Sequence, residues 1–188
     1  MPIIVLNYMT SLKKLIDNYC IRYPAETTPK SISSFFHSSK NPFSRKNQPG
    51  HFTGSAWIVN PDKTEILMTH HKKIGKWLQL GGHSDGEEDL LKVSQREAKE
   101  ESGINNFIIL SKEIFDMDIH EIPSIGSEPK HLHYDIRFLL EADPNIEPII
   151  VSDESYDVAW IKLDDILQLN SEDSIMRMVN KTRMLSIS

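Results

Sequence analysis

The chain has 188 residues, 39% of them hydrophobic and 26% charged, with a net charge of -6 at pH 7. That length is enough for one domain with a sizeable core, and the composition is that of a globular chain rather than a disordered one. The acidic balance argues against a nonspecific nucleic-acid binder, which needs a basic surface, and the single cysteine, Cys20, excludes an internal disulfide.

The opening segment MPIIVLNYMTSLKK carries a short apolar patch without a preceding basic residue or a small-residue cleavage site. No apolar run approaches membrane-spanning length, so a cytoplasmic location is expected. Met9, Leu12, Leu15, Ile16 and Tyr19 recur at helical spacing, with Asn7 or Thr10 as the cap. A second helix is predicted from Thr28 as N-cap and Pro29 at the first helical position, with Ile32, Phe35 and Phe36 facing inward. From Ser38 to Gly50 the chain is polar and broken by Asn41-Pro42 and Gln48-Pro49-Gly50, which reads as a loop. Residues 1–50 are therefore expected to be a helical extension ahead of a core domain at 51–188. Packing on that domain is its default role, with a homodimer contact or a lid as the alternatives.

HFTGSAWIV from His51 has strand composition, and Asn60-Pro61-Asp62-Lys63 is a turn leading into a second strand, TEILMTHH. Trp77-Leu78-Gln79-Leu80 reads as a short strand that ends at Gly81-Gly82, where a tight turn is expected. Beyond a central helix, residues 107–120 form one long β-like run, 131–140 another and 156–161 a shorter one. Leu163 to Leu167 and Ser174 to Met184 are helical candidates. Strands interrupted by one long helix and closed by another predict an α/β/α sandwich around a mixed sheet.

The central helix carries the chemistry. Within GHSDGEEDLLKVSQREAKEESGI, residues Glu97, Glu100 and Glu101 fall within one turn and on one face. Like charges at that spacing cost an isolated helix roughly 0.2–0.5 kcal/mol per pair, and Arg96 offsets only part of it. A hard divalent cation would neutralise the set, and grouped carboxylates without Cys or His fit Mg²⁺ or Mn²⁺ better than zinc. Asp85, Glu87, Glu88 and Asp89 place negative charge near the helix start, where the macrodipole favours it, and Gly103 closes the helix as a left-handed cap.

The order Gly82, Glu88, Arg96-Glu97, Ala98, Glu100-Glu101, Gly103-Ile104 resembles the signature box of the Nudix hydrolases, which cleave nucleoside diphosphates linked to another group. The likeness is strong over residues 77–104, supportive from about 51 to 165, and absent before residue 50. It implies the same α/β/α sandwich and a pyrophosphohydrolase in which Glu97 and Glu101 hold Mg²⁺, with the Gly82 carbonyl joining the coordination. Glu100 then shares the metal or takes the proton of the attacking water, Arg96 orients the carboxylates, and Glu88 braces the helix or holds water. The family also recruits an acid from the loop before the last core strand, here VSDESYD ahead of Trp160, which leaves Asp153 and Glu154 both open. The substrate, a small nucleoside diphosphate derivative, is not legible, since specificity lies in loops and not in the box.

Histidines offer two further readings. His131, His133, Asp135 and Arg137 alternate onto one strand face, near His83 and His120. Either that face is solvated, or it lines the cleft with His133 and Arg137 contacting the substrate. Zinc held by His120, His131 and His133 is the remaining alternative, although no common zinc spacing matches. His70 to Lys73, with Lys76, is either a solvated turn or a grip on a leaving phosphate. Function therefore reads first as metal-dependent pyrophosphohydrolase, then as an inactive nucleotide-binding regulatory module of the same fold, then as a zinc hydrolase.

Overall fold

A computed structural model describes residues 2–124 and 129–185, with side chains from residue 12 onward. Two helices, α1 (Pro2–Arg22) and α2 (Thr28–Ser38), precede a mixed eight-stranded sheet. Its strands are β1 (Gly50–Val59), β2 (Glu65–His71), β3 (Lys76–Leu78), β4 (Leu80–His83), β5 (Ile108–Ile109), β6 (Asp116–Ile122), β7 (His131–Glu141) and β8 (Ser155–Lys162). Helix α3 (Leu90–Ser102) lies between β4 and β5, and α4 (Ile166–Leu169) and α5 (Asp173–Leu185) follow β8. The element order gives the α/β/α sandwich with N-terminal helices that the sequence pattern predicts.

Strand β1 is buried along its whole length. It pairs in parallel with β7 from Gly50–Leu132 to Val59–Glu141, and antiparallel with β2 and β4 on its other side. One face of these strands presents Phe52, Tyr134, Ile136 and Phe138 to α1, α2 and α3, in a cluster shared with Leu12, Ile16, Tyr19, Ile32 and Phe35. Phe35 stacks on Tyr134 with ring centroids 3.7 Å apart. On the opposite face Trp57, Met68 and Leu139 meet Ile175, Met178 and Val179 of α5, and the Trp57 indole donates to Thr182 Oγ1 at 2.8 Å. Toward its N-terminal end β1 turns polar on this second face, with His51, Thr53 and Ser55 replacing apolar residues.

Several expectations change. The N-cap position of α2 is Thr27, with Thr28 already helical, and residues 77–80 divide between β3 and β4 at Gln79. Helix α1 starts at Pro2, so Asn7 and Thr10 lie inside it and do not cap it, while the side chain of Met9 lies outside the described residues. The run 107–120 divides into β5 and β6, because residues 111–114 leave the ladder on β7. Helix α1 docks on that interruption: Arg22 Nη2 donates to the Ile114 carbonyl at 2.8 Å, the Asn18 amide reaches Glu113, and Ile114 turns into the core. Finally, Gly81 and Gly82 lie within β4, paired with Ser55 and Gly54, so they serve close approach rather than a turn.

A buried charge cluster joins α1 to α5. Asp116, fully buried, accepts from Arg137 at 3.2 Å, Arg177 at 2.8 Å and Lys181 at 2.8 Å. Lys181 also donates to the Tyr19 hydroxyl and pairs with Glu26. Removing one member of such a group leaves an uncompensated buried charge, which is strongly destabilising.

The N-terminal helices are therefore expected to unfold with the sheet. Ile32→Ala, at a fully buried position of α2, should cost about 2–5 kcal/mol in urea denaturation followed by fluorescence, within a single transition. A separate early transition, with the main one unmoved, would show that the helices are not part of the core.

Candidate active site

Helix α3 is fixed at both ends. The Asp89 carboxylate accepts from the Lys92 amide at 3.3 Å as N-cap, and Gly103, at φ +73°, donates its N–H to the Lys99 carbonyl at 2.9 Å. A side chain at Gly103 would meet Ile150, whose own N–H donates to the Ser102 carbonyl. Leu90, Val93 and Ala98 are buried against the sheet, which turns the acidic face toward β4.

On that face the carboxylates form a gradient of burial. The Glu100 side chain is 58% exposed and that of Glu97 14% exposed, while Glu101 is buried. Gly82 is pressed onto Glu97: a Cβ there would stand 2.5 Å from Glu97 Oε2. The Gly81 N–H donates to Glu101 Oε2 at 3.2 Å. Arg96 bridges the group, with Nη1 2.7 Å from Glu97 and 3.2 Å from Glu100, and Nη2 donating to the His83 carbonyl at 2.8 Å. Burial is the main force on the two inner acids. It pushes the Glu101 carboxyl up to about 8, helped by the Glu97 charge and opposed by the Gly81 N–H. Glu97 is also raised by burial, against the pull of Arg96.

The β8 approach loop supplies another acid. The charge of Glu154 also raises both Glu97 and Glu101. That loop is braced by the turn after β2, where the Lys72 N–H donates to the Glu154 carbonyl at 3.0 Å and Lys72 Nζ to the Asp153 carbonyl at 2.8 Å. Lys76 pairs with Glu172. Glu88 stands apart: it precedes the N-cap, burial raises its carboxyl, and its Oε2 is buried without a hydrogen-bond partner.

Arg137 is not placed to hold a substrate. Its side chain is 3% exposed and its guanidinium is spent on Asp135 at 2.7 Å, Asp116 at 3.2 Å and Asp118 at 3.3 Å. Asp135 in turn accepts from Thr53, Ser55 and Gln79, so this part of the alternating face is a satisfied buried network. His133 lies elsewhere, among imidazoles. Burial and the neighbouring rings hold His133 down to about 2 and His51 down to about 4. The rings gathered with ligand nitrogens mutually close are His51, His83, His131 and His133. His120 is outside that set, edge-on to His133 and beside Asp118.

A family model for the NUDIX domain matches residues 51–180. The chain belongs to the Nudix family. Solved structures similar to this Nudix chain include an Ap4A hydrolase from C. elegans, with TM-score 0.57 and 19% identity, covering 71% of this chain and 96% of that one. A MutT protein from Methanosarcina mazei has TM-score 0.53 and 21% identity, covering 73% and 95% respectively. The E. coli dihydroneopterin triphosphate pyrophosphohydrolase has TM-score 0.52 and 17% identity, covering 69% and 92%. At such identities these neighbours speak for the fold alone. No curated protein matches the sequence.

Sequence reasoning missed His51. Its signal was available in part: His51, Thr53 and Ser55 alternate along β1 as His131, His133 and Asp135 do along β7. Only the parallel pairing of these distant strands, which sets His51 beside His133, gives that alternation its meaning.

The buried carboxylate of Glu101 sets a pH dependence. A carboxyl raised from 4.5 to about 8 makes the folded state bind more protons than the unfolded one between those values, so stability falls as pH rises through that window. One such group contributes up to about 1.4 kcal/mol per pH unit. In chelator-treated protein, the unfolding free energy of the wild type is expected to drop more steeply between about pH 5 and 8 than that of Glu101→Gln. Equal slopes in urea titrations would contradict the burial of Glu101.

Proposed function

We propose that the protein hydrolyses a phosphoric anhydride bond in a small nucleoside diphosphate derivative, with Mg²⁺ or Mn²⁺ as cofactor. Its Nudix membership makes it a pyrophosphohydrolase; the metal, the residue roles and the substrate class are our reading. One observation carries it. Glu97 and Glu101 are withdrawn from water side by side, Glu154 adds to their repulsion, and among the described residues Arg96 is the cation paired with Glu97. Two acids so largely withdrawn from water are costly unless a cation joins them. An all-oxygen donor set next to exposed backbone suits a hard divalent ion that keeps part of its water.

Glu97 and Glu101 would hold the ion, with Glu154 rather than Asp153 as the loop acid and the Gly82 carbonyl as a further oxygen. When bound, the ion offsets charge on the phosphate oxygens and acidifies the attacking water. Glu100, outermost and in contact with Arg96 through Oε2, would take that water's proton on its other oxygen or share the ion. Arg96 holds Glu97 and Glu100 in place from the His83 carbonyl. Gly82, by admitting the Glu97 carboxylate against its backbone, lets α3 approach β4. Glu88 would support the helix start. Residues 1–50 complete the core beside the matched domain, and the absence of any described helix long and apolar enough to cross a membrane fits the cytoplasmic location we propose.

The test is turnover of nucleoside triphosphates, ADP-ribose, dinucleoside polyphosphates, sugar nucleotides and coenzyme A, measured as phosphate release with Mg²⁺. The names of the similar structures fit such a set. Glu97→Gln and Glu101→Gln should each lower turnover of the best substrate by about a hundredfold or more while the protein stays folded. Glu154→Gln should cost more than Asp153→Asn. A folded Glu101→Gln protein with wild-type turnover would sink the assignment, and failure to turn over any pyrophosphate would favour a regulatory module.

A further inference from the structure

Four imidazoles converge where β1, β4 and β7 meet, and the carboxylate chemistry uses none of them. His51 lies opposite His133 in the parallel pair, His131 is two residues before His133 on the same face, and His83 ends β4 opposite Thr53. One ring nitrogen from each lies within 4.8 Å of the others. The ring centroids of His51 stand 5.0–5.1 Å from those of His83, His131 and His133.

As ordinary core packing this arrangement is poor. His51 is 1% exposed, and neither of its ring nitrogens has a hydrogen-bond partner of good geometry, although the Asn47 backbone lies close enough to act on it electrostatically. A buried polar group left unsatisfied costs about 1–3 kcal/mol. For a metal the same arrangement is favourable. A tetrahedral ion with nitrogen ligands at about 2.0–2.1 Å sets those nitrogens about 3.3–3.4 Å apart. His131 Nε2 and His133 Nε2 are 3.3 Å apart. His131 Nδ1 is 2.9 Å from the Pro129 carbonyl, which holds its proton there and directs the Nε2 lone pair toward the cluster, as a ligating histidine is usually held.

We propose that His51, His83, His131 and His133 bind one divalent transition-metal ion of the zinc type, in a closed four-imidazole site separate from the carboxylate site. Imidazole donors select such ions over Mg²⁺. Four protein ligands leave no open position for water, so the ion is structural rather than hydrolytic. It clamps β1, β4 and β7 at the end where each carries a histidine. His83 directly follows Gly82, and its carbonyl accepts from Arg96, so the clamp fixes the strand on which Glu97 rests. The proposal does not depend on the hydrolytic reading.

The test uses the full chain, stripped with chelator and dialysed against Zn²⁺ in excess Mg²⁺. One zinc per chain is expected, with X-ray absorption showing a shell of four nitrogens at about 2.0–2.1 Å and imidazole scattering beyond it. His51→Asn and His133→Asn should weaken zinc binding by about a hundredfold or more, and Glu101→Gln should leave it intact. Should the histidine variants not fold, the wild-type absorption spectrum still decides the matter. Less than stoichiometric zinc, an oxygen-rich shell, or zinc lost in Glu101→Gln but kept in the folded histidine variants would overturn the proposal.

Discussion

The ten-position parallel register between β1 and β7 is the constraint that the remaining structure depends on. Slipping it by one residue would exchange the two faces of a strand that is buried on both, moving Phe52 and Ala56 to where Thr53 and Ser55 now meet Asp135. The apolar face receives α1, α2 and α3, and the opposite face receives α5 at its apolar end. Because β4 pairs with β1 on the other side from β7, the register also fixes where Gly82 and His83 stand.

Burial in this molecule works against local electrostatics in two places and resolves the conflict differently. Around Asp116 and Asp135, cations and hydroxyls from β1, β7 and α5 are brought in, so the interior charges are answered within the chain. Around Glu97 and Glu101, among the described residues, the fold supplies Arg96 and the Gly81 N–H. The first arrangement is what a stable interior requires; the second is what a site for an outside cation requires.

Much of this was legible beforehand. The periodicities of Ile32, Phe35 and Phe36, the Asn60-Pro61 turn, the strand composition from His51 and the left-handed Gly103 all act locally, so sequence carries them. What sequence did not carry was long-range. Residues 111–114 leave the sheet where α1 docks, and no local signal in Ser111-Lys112-Glu113 announces a helix from ninety-odd residues earlier. Arg137 alternates with His133 as a cleft residue would, yet three aspartates from two strands absorb it. Spacing along a strand sets which face a side chain takes; what stands over that face is decided by another part of the chain.

The contact between Tyr19 and Lys181 spans 162 positions. A nascent chain therefore carries α1, α2 and the whole sheet out of the ribosome before α5 can follow, and until then Asp116 lacks two of its three cations. The growing protein is obliged to wait, with a carboxylate in the seam between helix and sheet that water must continue to serve. Closure at Asp116 belongs to α5, and long-range closure of this kind is intrinsically slow.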